Sequence, residues 1–188
     1  MLRVKTAASA RDALVDILRH AYSGERAAAL AYAGHWRSLR PGEDRVRIQE
    51  IEREEWHHRD LVGEMLAGLG AQPSAGRERR ARVVGTILSA LCRVTGWLAP
   101  MYAAGRLESG NIREYEHAAI LASACGRGDL VGCLLDMAAV EWEHESYFRA
   151  RVETHPLARW IPRWPAPPPK ERIRRAFAQA EESHLEVA

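Results

Sequence analysis

Two short runs in this chain place a carboxylate and an imidazole three residues apart in apolar surroundings: Glu55-x-x-His58 and Glu141-x-x-His144. Residues three apart share one face of a helix, which turns about 100° per residue. Ile48, Ile51, Val62 and Met65 stand at core spacing around the first pair; Leu134, Met137 and Phe148 do so around the second. Both pairs therefore point where apolar side chains belong. Burying such groups without partners costs on the order of several kcal/mol, so something must satisfy them. A hydrogen-bonded core network would serve, and so would a metal ion. A tryptophan follows each inward glutamate, at Trp56 and Trp142, so the two runs share one design. The neighbouring Glu54/His57 pair has the same spacing, but its flanks Glu50 and Arg47 are polar, which turns it outward.

Each run is preceded by a helical stretch carrying a lone inward glutamate. Glu25 interrupts the stripe Leu14, Ile17, Leu18, Ala21, Ala28, Tyr32 and Trp36, and Glu108 holds the matching place in the second half. A tyrosine follows each glutamate seven residues later, Tyr32 after Glu25 and Tyr115 after Glu108. Glu114 and Glu116 are alternatives on the same helix, and Glu108 is preferred because it reproduces that interval. The spacing from lone Glu to Glu-x-x-His is 30 residues in the first half and 33 in the second. Two antiparallel hairpins so built bring together Glu25, Glu55, His58, Glu108, Glu141 and His144. Four carboxylates can neutralise and bridge two divalent cations, and one neutral nitrogen per ion leaves positions open for dioxygen. Oxygen-rich ligation of this kind favours iron or manganese over zinc. Tyr32 and Tyr115 are candidate hydrogen-bond donors behind the ligands, with plain core tyrosines as the alternative.

The elements that must position these residues are helices. Ser9 and Asp12 resemble a capping box opening the first, which Pro41-Gly42 closes. A second is expected from Glu43 to Leu69, ended by Gly70 and Pro73. Arg77 to Arg82 lead into an apolar segment, Val83 to Ala99, whose only charge is Arg93. It is too short and glycine-broken for a membrane span; a buried crossover helix is the favoured reading and an interfacial helix with snorkelling arginines the other. Pro100 suits the first turn of a third bundle helix, about Met101 to Ala124. Gly126 to Asp129 turn the chain into a fourth, which runs to about Val152. His155-Pro156 breaks it, Trp164 to Pro169 is an extended proline-rich linker, and Lys170 to Ser183 is a short basic helix docked by Ile173 and Phe177. The expected domains are residues 1–155, the bundle with its apolar crossover over 77–99, and residues 156–188, the tail.

The 188 residues suit one helical domain: 47% are apolar, and Ala, Leu, Arg and Glu dominate. A net charge of +2 gives no case for nucleic-acid binding. Three cysteines, Cys92, Cys125 and Cys133, show no paired spacing and read as thiols of a reducing cytoplasm. Met1 to Ala8 lacks the apolar core of a signal peptide. The expected location is cytoplasmic, with peripheral contact at the inner face of the membrane through the Arg77–Ala99 region. His20, His35, His57 and His117 have no matched partners, and no phosphate loop or nucleophile–base arrangement stands out.

The motifs together resemble the ferritin-like di-iron carboxylate proteins, an all-α four-helix bundle, and within them are most similar to the demethoxyubiquinone hydroxylase family. The resemblance covers roughly Val15 to Val152. It rests on Gly24-Glu25 with Tyr32, Glu55-x-x-His58, the apolar connector, Glu108-Ser109 with Tyr115, and Glu141-x-x-His144. It implies two iron ions (or manganese) on the six residues and a monooxygenase hydroxylating a small hydrophobic or aromatic, quinol-type substrate with dioxygen and an external electron donor. It also implies membrane association through the connector, while helical pairing into a homodimer is compatible with the chain. His144-Glu145 stands where that family commonly has paired histidines, and the basic, proline-rich tail replaces an apolar terminal helix. The alternatives are a rubrerythrin- or ferritin-like peroxidase or ferroxidase, and a non-catalytic helical interaction protein with a structural polar core.

Overall fold

A computed structural model describes the backbone of residues 6–185 and the side chains of residues 6–179. The segment read for a leader and the outermost ends of both expected domains lie partly outside the described residues. Six α helices follow one another: α1 (Ala7–Ser38), α2 (Glu43–Gly68), α3 (Ala75–Leu91), α4 (Leu98–Ala124), α5 (Gly128–Glu153) and α6 (Glu171–Leu185), with a single 3-10 turn at Ala158–Trp160. No strand occurs among the described residues. The chain is all-α, as its periodicity requires.

The first helix begins earlier than the Ser9/Asp12 pattern implies. Thr6 is the cap: its hydroxyl accepts the Ser9 backbone N–H at 3.3 Å, and the Ser9 hydroxyl donates back to the Thr6 carbonyl at 2.9 Å. Either hydroxyl residue could satisfy an exposed first-turn donor, and the more N-terminal one does so. At the other end α1 stops at Ser38, before Pro41. Gly70, at φ 65°, closes α2, and Gly126, at φ 78°, makes the turn between α4 and α5; both are conformations that a side chain would strain.

The chain forms two compact units, Val15–Ala103 and Ala104–Ala188 with Met1–Leu14, whose boundaries fall inside α1 and α4. In the first unit, α1 and α2 are antiparallel. Trp36 donates to Glu52 near one end, Arg59 donates to the Tyr22 carbonyl midway, and Arg19 donates to the Gln72 carbonyl at 2.9 Å near the other. Leu18, Ala29, Ile48, Ile51, Val62 and Leu66 fill its interior.

Helix α3 runs parallel to α1 and touches it at two glycines. A Cβ on Gly34 would lie 2.3 Å from the Ser89 carbonyl oxygen, and one on Gly85 would lie 2.8 Å from that of Ala27. Farther toward the start of α3, Glu78 is clamped by Arg26 at 2.8 Å and by Arg59 at 2.6 Å. Burial alone would raise the Glu78 carboxyl, but the hydrogen bonds from Arg59 and then Arg26 hold it below its ordinary value.

The apolar segment Val83–Ala99 is neither one helix nor buried. It ends α3 at Leu91, turns through Gly96 at φ 74°, and enters α4 at Leu98, which puts Pro100 in the first turn. Within α3 only Ala81 and Gly85 are buried, whereas Val83, Val84, Ile87 and Leu91 are exposed, as is Val94 after it. The helix packs by its small residues and leaves its large ones outside, the reverse of what hydropathy suggests.

In the second unit, α4 and α5 are antiparallel. A Cβ on Gly105 would meet that of Phe148 at 3.1 Å, and Asn111 reaches Glu141. Ala118, Ala119, Leu134, Met137 and Phe148 form the apolar interior. The tail belongs to the same unit. Residues 164–174 run along α5 in the opposite direction, with Trp142 donating to the Pro168 carbonyl at 2.8 Å, Lys170 paired with Glu143, and Arg174 with Asp136. Ile173 is buried where α6 meets α5, as expected, while Phe177 is half-buried.

Candidate metal centre

All six residues singled out by spacing are buried, each 3% exposed or less. In the Val15–Ala103 unit, α1 supplies Glu25 and α2 supplies Glu55 and His58. One ligand-competent atom from each lies within 4.8 Å of the other two. In the other unit, α4 supplies Glu108 and α5 supplies Glu141 and His144, again with donor atoms within 4.8 Å of one another. Each unit thus encloses the same trio of two carboxylates and one imidazole, contributed by one antiparallel helix pair.

The local reason is helical phase. Ile48, Ile51, Glu55, His58, Val62 and Met65 are all buried on α2, and Leu134, Met137, Glu141, His144 and Phe148 are buried on α5. Each acid–imidazole pair occupies one turn within a face that is otherwise apolar. Glu54 and His57, one residue earlier, lie outside that phase: Glu54 is half-buried and bonded to Arg47 at 3.2 Å, and His57 is exposed. Glu108 is the buried carboxylate of α4; Glu114 and Glu116 are half-buried and stand apart from the trio. Burial pushes the Glu116 carboxyl up, against the opposing charges of Arg113 and Arg172.

The second trio shows how its carboxylates are oriented. Asn111 Nδ2 donates to Glu108 Oε2 at 2.8 Å and lies 3.5 Å from Glu141 Oε2, so one amide bridges the acids of two helices. His144 Nδ1 stands 3.6 Å from the same Glu141 oxygen. Sequence reasoning passed over Asn111. Its signal is the three-residue interval after Glu108, which puts it on the same face one turn along. Tyr32 and Tyr115 are both buried on the helices of the lone glutamates.

The donor chemistry suits a cation. Two carboxylates crowded away from water repel one another as anions, and each oxygen that stays ionised needs positive charge nearby. A divalent metal ion would supply that charge, and each trio offers it hard oxygen donors and one nitrogen. The three cysteines form no disulfide and lie outside both trios, so no sulfur ligand is offered among the described residues. Burial raises the Cys92 thiol, which makes it a poor nucleophile.

His35, also buried, belongs to neither trio. Desolvation holds its imidazole down at about 4, with the Asp44 charge opposing the shift, so it is neutral at physiological pH.

Comparison of the chain with family models, with curated proteins and with solved structures returns no match in any of the three. The functional reading therefore stands on the residues themselves.

Proposed function

We propose that the two trios serve one carboxylate-bridged centre of two iron or manganese ions in a ferritin-like bundle, and that the protein is an oxygen-dependent monooxygenase. The observation that carries this reading is the duplication: each unit encloses two buried carboxylates and an imidazole with donor atoms within 4.8 Å of one another. A structural polar network has no need to be built twice with the same three residue types. Single glutamates on two helices with Glu-x-x-His on two others are the ligand set of carboxylate di-metal bundles.

The ions would supply the electron-transfer chemistry by which dioxygen is reduced and substrate oxidised. The chain supplies the rest. Glu25, Glu55, Glu108 and Glu141 offset the metal charge, and His58 and His144 provide one nitrogen each. Asn111 fixes two of the carboxylates in orientation. Leu134, Met137 and Phe148 exclude water from the second trio. One oxygen atom enters the substrate as a hydroxyl group. The other leaves as water with two protons and two electrons from an external donor. The substrate class is a small aromatic, quinol-type molecule, as the demethoxyubiquinone hydroxylase resemblance implies.

The exposed stripe of Val83, Val84, Ile87 and Leu91 with Arg79, Arg80, Arg82 and Arg93 supports peripheral contact with an anionic membrane surface. No helix among the described residues is long and apolar enough to cross a membrane. Sedimentation with anionic but not neutral liposomes is expected, and failure to sediment with either removes this part.

The reaction is tested with iron-loaded protein, a reductant, hydroquinone-type substrates and isotope-labelled dioxygen. Label in a ring hydroxyl is expected. Label only in water, with ferric iron accumulating, points to the peroxidase or ferroxidase alternative. Protein that takes up no metal refutes both.

A further inference from the structure

Beside the second trio lies a slot shaped for a flat ring, and the chain fills it with its own Trp164. The floor is Gly105: a Cβ there would sit 2.4 Å from the indole Cζ2, so only glycine admits the ring. Phe148 borders it, and the Arg149 guanidinium carbon lies 4.8 Å from the indole centroid. The indole Nε1 donates to Glu145 at 2.7 Å, and that carboxylate is itself 1% exposed and bonded to Arg149. Gly105 precedes Glu108 by three residues and Phe148 follows His144 by four, which puts the slot roughly 5 Å, one helical turn, along the helices from the trio.

These features recognise more than tryptophan. A side-chain-free floor, a cation over the ring face and a buried carboxylate acceptor together select a planar ring bearing an N–H or O–H donor. The hold on Trp164 is also made without regular secondary structure. The residue is half-buried and belongs to an extended stretch whose anchors are side-chain contacts, among them Arg149 donating to the carbonyls of Trp164 at 3.2 Å and Pro165 at 3.1 Å. No helix or strand turn must break to lift it.

We propose that this slot is the aromatic subsite of the protein and that Trp164 is a built-in plug, displaced when a hydroxylated ring takes its place. The ligand class, a phenol- or quinol-like molecule, rests on the monooxygenase reading, but the slot can be examined without metal. Glu145 would accept the ring hydroxyl and Arg149 would cover its face, while the strap from Trp164 to Pro168 swings away from α5.

Trypsin sites flank the plug at Arg163 and Lys170, so full-length, metal-free protein reports strap release directly. Hydroquinone at ten times its dissociation constant for the open state should speed cleavage at these sites about tenfold, with cyclohexanol at equal concentration without effect. Cleavage unchanged by hydroquinone, or accelerated equally by cyclohexanol, overturns the proposal. Calorimetry provides a second reading. Trp164→Ala should bind hydroquinone at least about tenfold more tightly than the wild type, and adding Glu145→Gln should reverse most of that gain. Affinity that does not rise in Trp164→Ala also overturns it. Should that variant fail to fold, the wild-type cleavage experiment decides alone. Protein that binds no metal yet releases its strap to hydroquinone would refute the metal-centre reading and leave the slot standing.

Discussion

Replacing Glu55 by methionine should move stability in opposite directions with and without metal. Glu55 is fully buried on α2, with donor atoms of Glu25 and His58 within 4.8 Å. In the metal-free protein that crowding of acids costs free energy, and an apolar side chain of similar length relieves it, so the variant should be the more stable of the two. With metal the sign reverses. A ligand at 100 times its dissociation constant stabilises the native state by about 2.7 kcal/mol, and for a chain of this size that raises the melting temperature by roughly 5–11 °C. The wild type should show that rise with Mn(II) or anaerobic Fe(II), while Glu55→Met melts higher than the wild type without metal and gains almost nothing from it. Calorimetric melts of both proteins, with and without metal, give four numbers. A structural hydrogen-bond network predicts another pattern: the variant loses stability in the absence of metal, and neither protein responds to it. That pattern would refute the reasoning.

Asn111→Ala should lower metal affinity about 10- to 100-fold while leaving the fold intact, because it removes the amide that orients Glu108 and Glu141; a metal titration followed by calorimetry measures it. Gly34→Ala should cost about 1–3 kcal/mol in denaturant unfolding, since the new methyl meets the Ser89 backbone at 2.3 Å, yet metal stoichiometry should be unchanged. His35 gives the chain an acid-sensitive term. Its folded value, about 4, lies below the ordinary value of 6.5, so the unfolded state takes up a proton first and stability is lost as pH falls from 6.5 toward 4, by on the order of 3 kcal/mol. Melting temperatures recorded across that window should fall less steeply in His35→Leu than in the wild type.

The placement of the six acid and imidazole residues was legible because a helix makes phase visible: one residue out of phase separates buried Glu55 and His58 from outward Glu54 and His57. Repetition supplied the rest, since Glu108 could be preferred over Glu114 and Glu116 only by the interval to Tyr115 that Glu25 and Tyr32 share. The exposed face of α3 was not legible. Its long apolar run suggests burial, but the contact with α1 is made through Gly34 and Gly85, and such a close approach depends on residues about 50 positions apart. The strap was hidden for a different reason. Arg149 and Trp142 bind carbonyls of Trp164, Pro165 and Pro168, groups every residue carries, so no side-chain pattern announces them. Thr6 was overlooked as a cap because Ser9 offered an equally good hydroxyl three residues later.

The spectroscopy of the Mn(II)-loaded protein tests the central claim most directly. Paramagnetic resonance on protein loaded to saturation reads both the number of ions bound per chain and whether they interact. Two ions per chain with the signature of an exchange-coupled pair are predicted, because the two trios are proposed to serve one centre. Isolated, uncoupled Mn(II) signals, or no uptake by the folded protein, would contradict the account.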